Sequence, residues 1–344
     1  THDSAERPPV SYLRHLLINH TDTTIGETGN ADKRSHSPKA TTKMNDTYYT
    51  ALTDRGILSV SGADSLTFLQ GIVTNDIEKV AANCAIYAAI LTPQGKYLHD
   101  FFVVKFGDSF LSDCPANQFG ELTKRLKMYR LRAKVDIEDR SDDFTIFAIT
   151  GPNTSNFAGL TENPGNATDY GDGIAFVDPR LVELGLRTIQ PAATAIEFMK
   201  NAGLSAGNLK AYKASQYSLG VPDGENSEML KQTFPLEIGF DELNAISFDK
   251  GCYVGQEVTT RMKIRKLVKK RLVPVTFAGK APAPGSTVQI QNKAAGQIFA
   301  GNNENGLAMI RLETLDQALK ADSEFTSEET ALRATRPAWF QTPD

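Results

Sequence analysis

Apolar and polar positions fall into short regular segments from Leu52 onward, and before that they do not. Residues 55–60 read as a strand and Ser61-Gly62 as a turn. Asp64 is placed to cap a helix that carries Leu66, Phe68, Leu69 and Ile72 toward a core. Residues 86–91 and 98–106 read as strands flanking Thr92-Pro93-Gln94-Gly95-Lys96, a turn by composition. Residues 119–129 have helical spacing with a basic outer face of Lys124, Arg125 and Lys127. Residues 131–137 then alternate as a strand, and extended chain there would put Arg130 and Arg132 on one side. Strands at 144–150, 174–177 and 186–188 and helices at 194–201 and 211–220 follow, the last stopped by Gly220 and Pro222. Beyond residue 271, short strands at 272–277, 287–291, 295–300, 306–311 and 330–334 with glycine-rich turns predict a small antiparallel barrel.

Residues 1–43 lack this patterning and read as a disordered or upstream-derived extension, with Met44 as the start of the patterned chain. The 344 residues have room for two or three domains, and 40% hydrophobic with 23% charged residues describes an ordinary globular chain. A net charge of -4 argues against wholesale nucleic-acid binding but leaves room for a local basic patch. One such patch is legible: residues 261–271 hold seven basic side chains and no acid. That run is either a solvated face with Ile264, Leu267 and Val268 turned inward, or a contact for an acidic protein or tRNA phosphates. No apolar run approaches the roughly 20 residues of a membrane span.

Cys84, Cys114 and Cys252 lie far apart with no C-x-x-C, and His99 is the one histidine beyond residue 43. A protein-only metal site is therefore not expected, and a reducing compartment fits. The most distinctive stretch is Lys250-Gly251-Cys252-Tyr253-Val254-Gly255-Gln256-Glu257. Its glycines suit tight backbone geometry or close approach of a ligand, and Lys250 would favour the thiolate of Cys252. A buried cysteine in a glycine-turned loop is the alternative.

These eight residues match the K-G-C-[FY]-x-G-Q-E signature of the YgfZ branch of the YgfZ/GcvT folate-binding family. The F-L-Q-G-x-x-T-N-D run ending at Asp76, the L-T-P-Q-G-K run before Leu98-His99-Asp100, and Tyr129-Arg130-Leu131-Arg132 also resemble that family, in its order, over about residues 50–340. The resemblance implies an α+β chain: a GcvT-like folate-binding body of two intertwined subdomains over 44–262, then a six-stranded barrel over 263–344. It implies tetrahydrofolate or a one-carbon derivative, bound by Asn75, Asp76, Asp100, Arg130, Arg132, Tyr253, Gln256 and Glu257, with Cys252 and Lys250 carrying the chemistry. The implied role is a folate-binding accessory protein for assembly or repair of iron–sulfur clusters in client enzymes, including a tRNA-modifying methylthiotransferase. Its partners would be iron–sulfur client or assembly proteins, in the cytoplasm or alternatively the mitochondrial matrix.

Two other readings stay open. One is a tetrahydrofolate-dependent aminomethyltransferase of glycine-cleavage type, although those enzymes place a pterin-holding glutamate where this chain has Gln216-Tyr217-Ser218-Leu219. The other is a folate-binding module without chemistry.

Overall fold

Strand β3 (Ile86–Leu91) is buried along its whole length, which explains why its sequence is an unbroken apolar run. Successive residues point to opposite faces, so Tyr87, Ala89 and Leu91 enter one core and Ile86, Ala88 and Ile90 another. The strand belongs to a five-stranded sheet in the computed structural model, which describes residues 47–340 apart from 153, 155–157, 225–226 and 303. The extension read at 1–43 lies outside the described residues.

The sheet runs β3, β4 (Tyr97–Phe106), β5 (Ser109–Pro115), β2 (Arg55–Ser61) and β6 (Asp136–Asp139). One face is covered by helices α1 (Ser65–Gln70) and α2 (Phe119–Arg130), which contribute Phe68, Leu69, Leu122 and Leu126. The other face meets a six-stranded sheet ordered β11 (Ser205–Ala206), β1 (Tyr48–Ala51), β7 (Phe144–Thr150), β10 (Leu186–Pro191), β9 (Gly173–Val177) and β8 (Ala167–Tyr170). Helix α3 (Ala195–Asn201) lines the far side of that second sheet through Ala195 and Met199. Helix α4 (Leu209–Ser218) sends Tyr212 and Tyr217 into the central cluster, where Phe299, Leu307 and Met309 of the C-terminal part join them.

The expected barrel is present and closed, in the order β12 (Lys270–Phe277), β15 (Asn305–Arg311), β14 (Lys293–Asn302), β13 (Thr287–Ile290), β16 (Phe325–Ser327) and β17 (Thr330–Ala334). Closure leaves no free edge. The interior is filled by Val273, Val275, Val288, Ile298, Ile310, Phe325 and Leu332, with Leu315 of helix α6 (Leu312–Lys320) against them.

The two large sheets are joined by buried ions as well as apolar contact. Asp113 on β5 accepts from Arg55 on β2 and from Arg187 on β10, so one carboxylate holds both sheets. Arg187 also reaches Asp178 at 3.3 Å, and Arg180 closes the chain on Asp178 at 2.8 Å. Burial opposes charge on Asp178, but Arg180 and Arg187 still hold its carboxyl below the usual range. The guanidinium of Arg187 lies 4.0 Å from the centre of the Phe102 ring, a cation–π contact in the same interior.

Several local expectations change. Leu66 is exposed, whereas Phe68, Leu69 and Ile72 are buried. Asp64 accepts from the backbone N–H of Lys134 at 2.7 Å instead of capping α1 with its side chain. The strand expected at 131–137 is a turn followed by β6, because α2 continues to Arg130 and Leu131 has a positive φ of 45°. Arg130 and Arg132 are consequently not paired on extended chain. Ile264 and Leu267 are exposed rather than turned inward, and the residues that α5 (Gln256–Ile264) buries are Thr259 and Met262.

Candidate functional site

The signature loop precedes α5 and is fastened to the body at several points. Lys250 is the firmest. Its side chain is buried, and its ammonium donates to the carbonyls of Gln70 at 2.8 Å, Val73 at 2.8 Å and Asn75 at 2.7 Å. All three acceptors belong to the turn where α1 ends, so one side chain binds two motifs some 175 positions apart in sequence. Burial pulls the Lys250 pKa down to about 8, with Asp76 and Glu78 opposing that fall, so the ammonium stays largely charged at neutral pH.

The Thr-Asn-Asp motif completes the seam. Thr74 donates through its hydroxyl to Ala245 O at 2.6 Å and accepts from Ala89 N at 2.8 Å. Asn75 donates to Tyr87 O and Asn244 O, both at 2.8 Å. Asp76 accepts from Gln70 at 2.8 Å and from Glu78 N at 3.2 Å, closing its own turn. Backbone bonding continues where Ser247 N meets Thr74 O at 3.1 Å.

The second glycine of the signature locks the loop to the hairpin. Gly255 sits at φ 86°, and a Cβ there would lie 2.7 Å from Thr92 O and 3.0 Å from Leu91. Gly95 answers from the hairpin, since its Cβ would meet Val258 at 2.8 Å. Both positions need glycine for close approach and for a left-handed backbone. Gly251 differs: it is exposed, and nothing lies within 4 Å of where its Cβ would be.

The result is a fixed loop with one reactive atom facing outward. Cys252 is exposed, Cys84 half-buried and Cys114 buried. Burial raises the thiol pKa of Cys84 and, far more strongly, that of Cys114. Of the three, only Cys252 is exposed.

Two family models match the chain. The GCVT N-terminal domain matches residues 50–166, and the CAF17 C-terminal beta-barrel domain matches residues 269–342. The iron–sulfur cluster assembly factor IBA57 of mouse mitochondria is 33% identical over 317 residues, covering 85% of each chain. The chain belongs to the IBA57 family. The human IBA57 factor is 32% identical over 314 residues, again covering 85% of each chain. The glycine cleavage system aminomethyltransferase T of Bartonella henselae has the same fold, with a TM-score of 0.67 and coverage of 86% of each chain, at 13% identity.

Within this IBA57-family fold, the residues expected to bind folate are not all alike. Asp100 is buried and faces the space between the sheets, but Tyr87 donates to one carboxylate oxygen at 2.8 Å and Tyr97 to the other. Burial and the Asp100 charge push both tyrosines well above their ordinary pKa. Neighbouring His99 is also buried, paired with Gln118 at 2.9 Å, and burial lowers its pKa. Arg130 and Arg132 are exposed at the end of α2, and Arg130 donates to Val135 O at 3.3 Å. Tyr253 is buried beside Lys250, whose ammonium lies 5.4 Å from its ring centre, and burial pushes the phenol up to about 12. Gln256 reaches back to Gly251 O at 3.5 Å, and Glu257 is exposed one residue further on. The structure thus groups Asn75, Asp76, Lys250, Cys252, Tyr253 and Gln256 around one seam and leaves Arg130 and Arg132 on the surface of another element.

Sequence reasoning missed Thr74 as the hub of that seam and missed α5 itself. Gly255 followed by nine residues without glycine or proline was the available signal.

Because Lys250 satisfies three carbonyls, Lys250→Met should lower unfolding stability by about 1–3 kcal/mol. A denaturation midpoint equal to that of the parent would show that the ammonium does not hold the loop.

Proposed function

We propose that this protein supports iron–sulfur cluster assembly, with the Cys252 thiolate as a transient ligand to iron held by a partner, or as acceptor of the outer sulfur of a partner's persulfide, whose own thiolate leaves. The observation that carries the reading is an exposed cysteine on a loop fixed by Lys250, Thr74 and Gly255. A protein cluster is commonly held by four cysteines, so a single thiolate supplies one ligand and a partner supplies the rest. On binding iron, the thiol gives up its proton and the sulfur lone pair forms the bond. The names of the mouse and human relatives state the assembly role and a mitochondrial place, which favours the matrix over the cytoplasm. Clients would be cluster enzymes, a tRNA-modifying methylthiotransferase among them. No acid stands in the Gln216-Tyr217-Ser218-Leu219 stretch where an aminomethyltransferase would carry its glutamate, and Gln216 there is buried and donates to Pro222 O at 2.9 Å, which disfavours glycine-cleavage chemistry.

Cys252→Ser tests this in matrix-targeted rescue of cells lacking their own copy. An exposed substitution should change stability by less than about 0.5 kcal/mol. The account expects a variant with the parent's melting temperature that fails to restore cluster-enzyme activity. Full rescue by the serine variant would refute the thiol role.

We infer that a reduced folate binds between the sheets and α4. The buried hydroxyl of Tyr212 has no hydrogen-bond partner there, a polar atom that fits such a ligand. Asp100, closed by two tyrosines, is a poorer contact than Tyr212, Tyr253 or Asp76. When bound, tetrahydrofolate would supply one-carbon chemistry, and the residues named would bind and orient it. Ligand at a hundred times its dissociation constant stabilises by about 2.7 kcal/mol. Tetrahydrofolate should therefore raise the melting temperature, and less so for Tyr212→Phe. No shift at saturating folate, with titration calorimetry also silent, would end this reading.

A further inference from the structure

Large apolar side chains that fold outward beside a reactive group need a reason. Ile264 is 75% exposed, Leu267 is 44% exposed and Phe248 is 37% exposed, although the sequence pattern placed the first two inward. Phe248 lies two residues before the signature loop, and Ile264 and Leu267 lie at and just beyond the end of α5. A groove along α5 runs between Phe248 and Ile264, lined also by Gln256, Thr260, Arg261 and Arg265, with Glu257 as its one acid. It begins at the loop: Gln256 touches Gly251 O at 3.5 Å, and open space surrounds Gly251 next to Cys252.

Basic side chains outnumber acidic ones in the lining of this groove, Arg261 and Arg265 against Glu257. Lys263 pairs with Asp241 at 2.7 Å, and Arg271 pairs with Glu242 at 2.8 Å, so part of the basic run serves the fold. Lys270 lies 3.8 Å from Glu237, and Arg261 lies 4.0 Å from the exposed Glu257. Arg265 and Lys269 are exposed and make no ion pair among the described residues. Basic residues near a helix C-terminus favour the helix dipole, which accounts for Arg261 and Lys263. It does not account for an isoleucine in water between two arginines.

We propose that the groove along α5 receives an acidic segment of a partner protein, whose apolar side chain seats against Phe248 and Ile264. This rests on the proposed role of Cys252, because the groove leads a partner's chain to that thiol. The apolar floor favours protein over RNA. Single-stranded RNA is held by stacking on aromatic rings, and the one ring here, Phe248, already has the Lys263 ammonium 5.2 Å from its centre. Carboxylates along a partner segment would meet Arg261 and Arg265.

Two measurements test it. Fluorescence anisotropy would follow a labelled glutamate-rich peptide bearing one leucine, the same peptide with serine for leucine, and a single-stranded oligoribonucleotide. The leucine peptide should bind the full chain and lose at least tenfold in affinity on serine replacement, on Ile264→Ser or on Arg265→Glu. Undetectable peptide binding, affinity unchanged by these replacements, or tighter oligoribonucleotide binding indifferent to Ile264→Ser, would each overturn the proposal. In the rescue assay, Ile264→Ser/Arg265→Glu should fail while melting like the parent. If that variant rescues and Cys252→Ser does not, the groove is wrong and the thiol role stands. Should Cys252→Ser rescue, the functional reading itself has failed.

Discussion

The ammonium of Lys250, held by three backbone carbonyls, is the interaction on which the site depends. A buried charge is costly unless it is well hydrogen-bonded, and here the end of α1 supplies the acceptors. The consequence is geometric. With Lys250 drawn inward, Phe248, Asp249, Gly251 and Cys252 on either side of it are left at the surface. The three donor positions of the ammonium are thus taken up by backbone carbonyls, and the lysine fixes the path of the loop that carries the cysteine.

The platform beneath it must also be stiff, and the buried ion chain provides that. Asp113 joins strands from both sheets through Arg55 and Arg187, and Asp178 extends the chain to Arg180. Removing Asp113 would leave Arg55 charged without its carboxylate in the interior and cut the link from β5 to Arg187, so this chain fixes the relative placement of the sheets. The Thr74, Asn75 and Gly255 contacts then carry that placement to the signature loop. A ligand bound between the sheets would press on the same frame, which links the folate and thiol readings physically.

Segments that are buried on both faces were the most legible in the sequence. The run that became β3 stands out because nothing charged interrupts it, and β4 stands out through Phe101-Phe102-Val103-Val104. Where tertiary contacts decide, the pattern misleads. Alternation at 131–137 looks like a strand, but Gly62 packs so closely on Lys134 that a Cβ would lie 2.4 Å from its carbonyl, and Leu131 takes the turn. Strand β16, of three residues, is too short for periodicity to register, and α6 buries only Leu315 and Ala318. At the site, the motifs marked the right neighbourhood, yet their side chains serve largely to build the seam. Lys250, Asn75 and Asp76 each bond the backbone there. No local pattern could show that Asp100 would be sealed on both oxygens, since Tyr97 shares its strand but Tyr87 reaches it only across the hairpin.

The central claim is that the fold presents one cysteine and withholds two. Timed alkylation of the native full chain with iodoacetamide, read by mass spectrometry of the three cysteine peptides, measures this directly. The account predicts that Cys252 is modified to completion while Cys114 stays unmodified and Cys84 lags behind. Protection of Cys252 in the native chain, or labelling no faster than that of Cys114, would contradict it.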